Sequence, residues 1–179
     1  ERDCTARHTI VAGGEQGCDP HQEGHGPLRA GEPIIIDIFP SADHSGYFGD
    51  ITRTFVKGPT SDAVGALYET VLQAQETALG QIRAGADGRA IHAEILEYFS
   101  AQGYPTGEKD GYMQGYFHGT GHGLGLEIHE APRIGLRGDT LCAGQVVTVE
   151  PGLYYRGLGG VRIEDTVVVR ADGCENLTT

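Results

Sequence analysis

Twice in this chain an apolar run rich in β-branched residues ends on a carboxylate. Pro33-Ile34-Ile35-Ile36-Asp37 leads through a turn to Gly49-Asp50-Ile51-Thr52-Arg53-Thr54, and Val146-Val147-Thr148-Val149-Glu150 leads through a turn to Arg162-Ile163-Glu164-Asp165-Thr166. The separations are alike, thirteen residues from Asp37 to Asp50 and fourteen from Glu150 to Glu164. Runs of this kind predict buried strands. A buried strand is a costly place for an ionised carboxylate unless the charge is paired or bound to a metal. One such acid reads as an edge residue facing water. Four in matched positions predict two related hairpins whose acids meet.

The remaining pattern places these hairpins in an α+β chain. The spacing predicts a strand from Pro33 to Phe39, a turn at Ser41 to Gly46 and a returning strand from Tyr47 to Val56. Val64, Leu67, Tyr68, Val71, Leu72, Ala78, Leu79 and Ile82 recur at helical intervals, which predicts an amphipathic helix with Thr60 or Ser61 as its N-cap. Ile91, Ile95, Leu96 and Phe99 predict a second helix that stops at Gly103. Strands are expected again around Tyr116-Phe117-His118, from Gly125 to His129, from Val146 to Glu150 and from Val161 to Val169. No linker divides the chain, so one domain is expected.

The histidines supply a second ligand type. His118-Gly-Thr-Gly-His122-Gly-Leu-Gly-Leu-Glu-Ile-His129 holds three of them in twelve residues. Its glycines rule out a helical pair of zinc ligands four residues apart, and they permit a tight path that brings imidazoles beside carboxylates. The segment does not fit a dinucleotide loop, and no Gly-Lys-Ser/Thr follows it, so a phosphate cradle is excluded. His8, His44 and His92 read as ordinary surface or core residues. Two Asp, two Glu and one His suit a carboxylate-rich pair of manganese, cobalt, iron or zinc ions.

Composition narrows the partners. A formal charge of −12 argues against nucleic acid and anionic membrane, and no apolar run reaches the length of a membrane helix. The scattered Cys4, Cys18, Cys142 and Cys174 read as buried, reduced thiols of a cytoplasmic protein. Glycine, at 29 of 179 residues, is about twice its usual share and marks turns and close backbone approaches.

Five segments, in order, carry a family resemblance. They are Ile36-Asp37, Gly49-Asp50-Ile-Thr-Arg-Thr-Phe55, His118-Gly-Thr-Gly-His122 through His129-Glu-Ala-Pro132, Thr148-Val-Glu150-Pro-Gly-Leu-Tyr154, and Val161-Arg-Ile-Glu164-Asp-Thr166. From about residue 8 onward the chain resembles the metallopeptidases of the pita-bread fold (family M24), which include prolidase, aminopeptidase P and methionine aminopeptidase. The resemblance implies a creatinase/aminopeptidase-like fold, a curved antiparallel sheet with flanking helices and an internal pseudo-two-fold. It also implies that residues 1–179 form a catalytic domain lacking its first helix and strand and a preceding N-terminal domain.

The site follows residue by residue from the same resemblance. Asp37, Asp50, His122, Glu150 and Glu164 would bind two divalent ions, manganese first, with Asp50 and Glu164 bridging, Asp37 on one ion, and His122 with Glu150 on the other. Glu150 would also relay a proton to the leaving nitrogen, and His118 and His129 would contact substrate and steady the charge on its carbonyl. His21 would line the pocket. Arg162 would orient the ligand carboxylates, with Tyr154 a lesser candidate beside it. Arg162 two residues before Glu164, and the extra His118, point to the proline-peptidase branch rather than the methionine-specific one. The implied substrate is a dipeptide or longer peptide with proline on the leaving side, and the implied full-length protein is a cytoplasmic homodimer. Non-catalytic binding modules and creatinase-like hydrolases share the fold and are the alternatives.

Overall fold

The computed structural model describes residues 3–178. In it the first half of the sheet is built around the isoleucine run. β1 (Cys4–Ala6) and β2 (Ile10–Gly13) precede a short 3-10 turn at Gly14–Cys18, followed by β3 (Pro33–Ile38), β4 (Pro40–Ala42) and β5 (Ile51–Val56). β3 is the middle of an antiparallel sheet ordered β2-β3-β5, with Asp37 paired to Ile10 on one side and to Thr52 on the other. β4 leaves this sheet and pairs with β1. The returning strand begins at Ile51 rather than Tyr47, because residues 43–47 form an exposed turn.

Two helices follow, and local chemistry starts both. α1 (Asp62–Leu79) opens at Ser61, whose hydroxyl accepts from the Val64 amide, and α2 (Gly88–Ala101) opens at Asp87, whose carboxylate accepts from the Arg89 amide. Gly80 caps α1, so Ile82 lies beyond the helix it was expected to end, although it is still buried. Beyond α2 come the hairpin β6 (Gly107–Lys109) and β7 (Tyr112–Gln114), then β8 (Gly121–Gly123), β9 (Glu130–Ile134), β10 (Val146–Val149), β11 (Gly152–Tyr155), β12 (Gly159–Arg162), β13 (Asp165–Val169) and β14 (Cys174–Asn176).

The second half is a five-stranded antiparallel sheet ordered β14-β13-β10-β8-β9. Leu67 and Val71 of α1, with Ile95 and Phe99 of α2, pack on Val147, Val149, Leu153, Val161 and Val167 as one core. Burying each such side chain contributes roughly 1.5–3 kcal/mol. The halves are stitched together by Glu164 N–H to Thr52 O at 3.0 Å, by the Thr166 hydroxyl to Asp50 O at 2.7 Å, and by Thr54, whose hydroxyl donates to Arg162 O and accepts from the Arg162 amide.

Further expectations are corrected. Tyr116-Phe117-His118 is not a strand, since the Tyr116 amide is taken by the Thr106 hydroxyl instead of a ladder partner. Residues 125–129 are a series of bends, reached through an irregularity between His122 and Gly123 in the β8–β9 pairing. Val161 to Val169 is two strands in different sheets, broken at Ile163 and Glu164. The link from Glu150 to Glu164 is a whole hairpin, β11–β12, whose Gly160 sits so close to the Gly17 backbone that a Cβ there would lie 1.9 Å from Gly17 O. The cysteines are all free, as expected of reduced thiols, but Cys4 and Cys142 are exposed and Cys18 and Cys174 only half-buried.

Candidate metal centre

The acids of both halves reach the same cavity. Asp37 lies within β3, Asp50 directly precedes β5, His122 is the middle residue of β8, Glu150 follows β10, and Glu164 precedes β13. Together with His21, His118, His129 and Arg162 they line a cavity of about 580 Å³. His122 Nε2 stands 3.2 Å from Glu150 Oε1 and 3.9 Å from Asp50 Oδ2. Asp50, His122 and Glu164 each present one potential ligand atom within 4.8 Å of the others'.

Three carboxylate oxygens in this cluster, Asp37 Oδ1, Asp50 Oδ1 and Glu164 Oε1, are buried without a hydrogen-bond partner among the described residues. Two of the sister oxygens are held: Asp37 Oδ2 accepts from Arg162 at 2.7 Å, and Glu164 Oε2 accepts from the Thr52 hydroxyl at 2.7 Å. Glu150 Oε1 lies 3.3 Å from the Thr148 hydroxyl. Orphaned anionic oxygens in a dry site are unstable by themselves. A hard divalent cation is the partner that oxygen-rich donors of this kind take. His122 fits the same purpose, because Nδ1 lies 3.1 Å from Gly123 O, an orientation that leaves Nε2 facing the carboxylates.

Electrostatics report the same crowding. Burial, then the neighbouring charges of Asp37 and Glu150, push the Asp50 pKa up, and burial with the Glu150, Asp50 and Asp37 charges pushes Glu164 well above the carboxylate range. Burial acts on Glu150 in the same sense, but the His122 hydrogen bond and the charges of His118, His122 and Arg162 outweigh it and hold Glu150 low. His122 is raised, since its contacts with Glu150 overcome burial. These are the signs expected where several carboxylates share too little positive charge.

Behind the acids runs a chain of buried donors. Arg162, 3% exposed, bonds Asp37, approaches the Thr52 hydroxyl at 3.4 Å and donates to the Tyr154 hydroxyl at 3.0 Å. Tyr154 OH lies 2.7 Å from His118 Nε2, while His118 Nδ1 lies 2.8 Å from Gly119 O. Both ring nitrogens of His118 are thus engaged inside the protein, and burial drives its pKa down to about 4. His129 is exposed on the cavity wall with its ring 4.3 Å from that of His122. His21, also exposed, lines the cavity and is tethered through its amide to Asp19.

Sequence reasoning passed over several residues here. Thr52 and Thr148 stand two positions from Asp50 and Glu150, and that period-two spacing was a legible signal that they share the acids' face. His8 is exposed, as expected of an ordinary surface histidine, and it also lines the cavity and pairs with Glu23 at 2.7 Å. Arg133 and Arg137 also line it, and no local pattern marked them.

Fold and site define the class: an α+β protein in which two sheet halves line one cavity with five potential cation ligands, of which Asp50, His122 and Glu164 present ligand atoms within 4.8 Å of one another. Residues 2–171 match the profile of metallopeptidase family M24. The chain is 38% identical over 175 residues to the Xaa-Pro dipeptidase of Pyrococcus furiosus, a match covering 95% of this chain and 47% of that protein. It is 36% identical over 194 residues to the Xaa-Pro aminopeptidase of Escherichia coli, covering 96% of this chain and 43% of that one. The crystal structure of X-Pro aminopeptidase from Thermotoga maritima matches with a TM-score of 0.84 at 39% identity, over 96% of this chain and 46% of that chain. This chain belongs to metallopeptidase family M24 and has its pita-bread fold. It spans about half the length of the curated relatives it matches. Among the described residues no helix is long and apolar enough to cross a membrane.

Proposed function

We propose that this chain is the catalytic part of a hydrolase that uses two divalent ions to cleave the peptide bond before proline, as an Xaa-Pro dipeptidase or aminopeptidase. The observation that carries the reading is the trio of orphaned, buried carboxylate oxygens on residues that line one cavity with His122. The printed activities of the matched relatives support the substrate class. In this reading Asp37, Asp50, His122, Glu150 and Glu164 hold the ions. Manganese suits a donor set of four carboxylates and one imidazole. Free cysteines accord with a cytoplasmic location. The homodimer belongs to the proposal for the full-length protein, and sedimentation tests it.

When bound, such a pair supplies Lewis acidity and a water activated near neutral pH. The protein's own groups then do the following. Glu150, held low by His122, accepts a proton at a carboxylate oxygen and passes it to the leaving nitrogen. His129, whose pKa is lowered by desolvation at the cavity wall and by the nearby His122, offers a ring N–H to the developing oxyanion, a contact worth ~2.7–4 kcal/mol in the transition state. His118 has to give up Gly119 or Tyr154 to reach a substrate carbonyl, so Tyr154 and Arg162 govern how readily it does so.

Calorimetric titration with Mn²⁺ and a panel of Xaa-Pro and Xaa-Ala peptides test this. About two equivalents should bind, Xaa-Pro should be preferred, and Glu164→Gln should lower activity by at least ~100-fold. A protein that binds no divalent ion sinks the reading, and equal cleavage of Xaa-Ala sinks the proline specificity alone.

A further inference from the structure

His92 and Thr120 have no part in the chemistry above, yet they lie directly behind it. Thr120 is the centre of His118-Gly119-Thr120-Gly121-His122 and has no exposed surface, Tyr116 is 1% exposed, and His92 on α2 is 3% exposed. Every polar group of Thr120 is committed. Its amide donates to Ile134 O and its carbonyl accepts from the Glu150 amide, both at 2.7 Å. Its hydroxyl accepts from the Tyr116 hydroxyl at 2.7 Å and lies 2.9 Å from His92 Nδ1. A threonine hydroxyl has one proton to give, and the Tyr116 bond leaves it free to go to His92.

Burial lowers the His92 pKa, which keeps the ring neutral and one nitrogen able to accept. The neighbouring glycines offer no such grip, and a Cβ on Gly121 would fall 1.9 Å from Thr148 O. Thr120 is therefore the side chain by which the segment between the two histidines is held from beneath, and its carbonyl holds the Glu150 backbone. The anchor is rigid, because His92 sits on α2 between Ile91 and Ile95, both in the core. Tyr116 adds an edge-on contact to the His118 ring at 5.2 Å.

We propose that His92 is a positioning residue: through the Thr120 hydroxyl it holds the segment bearing His118 and His122 in place against Glu150, tying α2 to the cation site. The inference rests on the reading above for what the site does, but its decisive measurement uses Mn²⁺ alone, without substrate. Removing the hydroxyl leaves two buried polar groups unpaired in a dry core, and the segment must shift to satisfy them.

The test compares Thr120→Val, which conserves shape, with Thr120→Ser, which restores the hydroxyl, with His92→Leu, and with the His92→Leu/Thr120→Val double variant. Mn²⁺ affinity is measured by calorimetry, folding by circular dichroism and thermal midpoint, and kcat and KM on an Xaa-Pro dipeptide at saturating Mn²⁺. Thr120→Val should weaken Mn²⁺ binding at least about tenfold. Thr120→Val should also lower kcat with KM nearly unchanged, and Thr120→Ser should return Mn²⁺ affinity to within about twofold of wild type. The double variant should bind no more weakly than Thr120→Val, because both changes cut one connection. A folded Thr120→Val with wild-type Mn²⁺ affinity overturns the proposal, as does a loss that Thr120→Ser fails to recover or additivity in the double variant. Should Thr120→Val not fold, His92→Leu decides: weakened Mn²⁺ binding supports the connection and unchanged binding overturns it. A wild type that binds Mn²⁺ but cleaves no Xaa-Pro peptide defeats the peptidase reading alone, since the affinity comparison stands without it.

Discussion

The two halves of the sheet carry the same pattern of strand and acid, and they join their acids differently. In the first half Asp37 pairs with Thr52 and Ile38 with Ile51, so Asp37 and Asp50 stand diagonally across the hairpin. In the second half Val149 pairs with Asp165, which sets Glu150 and Glu164 opposite each other just past the ladder's end. The first connection is an exposed turn over residues 43–47. The second is the β11–β12 hairpin, whose Leu153, Tyr154 and Val161 are fully buried. That hairpin also reaches back to the first half, where Arg162 holds Asp37. Matched acids therefore do not require matched connections. One connection is surface, and the other is both core and support for the site.

Breaking the reach-back should have the largest effect. Arg162→Met strips the buried Asp37 carboxylate of its partner and should cost about 3–5 kcal/mol in the metal-free protein, read from a denaturant midpoint. A loss below about 1 kcal/mol would mean that the first half does not lean on the second.

A smaller effect separates the connections themselves. Gly160→Ala, in the buried hairpin, drives a methyl into Gly17 O and should cost about 1–3 kcal/mol. Gly49→Ala, at the end of the exposed connection, meets nothing within 4 Å and should change stability by less than about 0.5 kcal/mol. Equal losses would erase the distinction.

The smallest effect is on thiol chemistry and leaves stability untouched. Cys18 lies beside the second hairpin, and burial followed by the Glu15 charge pushes its pKa up to about 11, whereas Cys142 is exposed. A raised pKa leaves less thiolate at pH 8, so iodoacetamide should label Cys142 at least about tenfold faster. Raising the pH towards 11 should speed Cys18 and narrow the gap. Equal rates at pH 8 would show that the hairpin does not shelter its neighbour.

Much of this was legible because it is local. The Ile34–Asp37 run, the Val146–Glu150 run and the helical stripe of α1 announce themselves through period and residue type, as does a cap at Thr60 or Ser61, of which the helix uses Ser61. Where reading failed, backbone partners came from far along the chain. The expected strand at His118 is irregular because Thr106 and Ile134 take the amides of Tyr116 and Thr120. The β11–β12 hairpin hid inside a glycine-rich stretch that reads as turn, yet Gly160 is there for close approach to Gly17 and Gly159 for close approach to Pro33. His92 carried no local sign of its bond to Thr120, which spans 28 positions.

By itself the sequence determined which residues had reason to meet: carboxylates ending apolar strands, and imidazoles set among glycines. That much follows from the cost of burying charge, which residue type and period reveal within a few positions. Only the tertiary structure decided which oxygen of Asp37 and of Glu164 is held and which is left free. Those choices depend on Thr52 reaching Glu164 across 112 positions and Arg162 reaching Asp37 across 125. Hydrogen bonds over such separations exist only once both halves of the sheet are folded against each other.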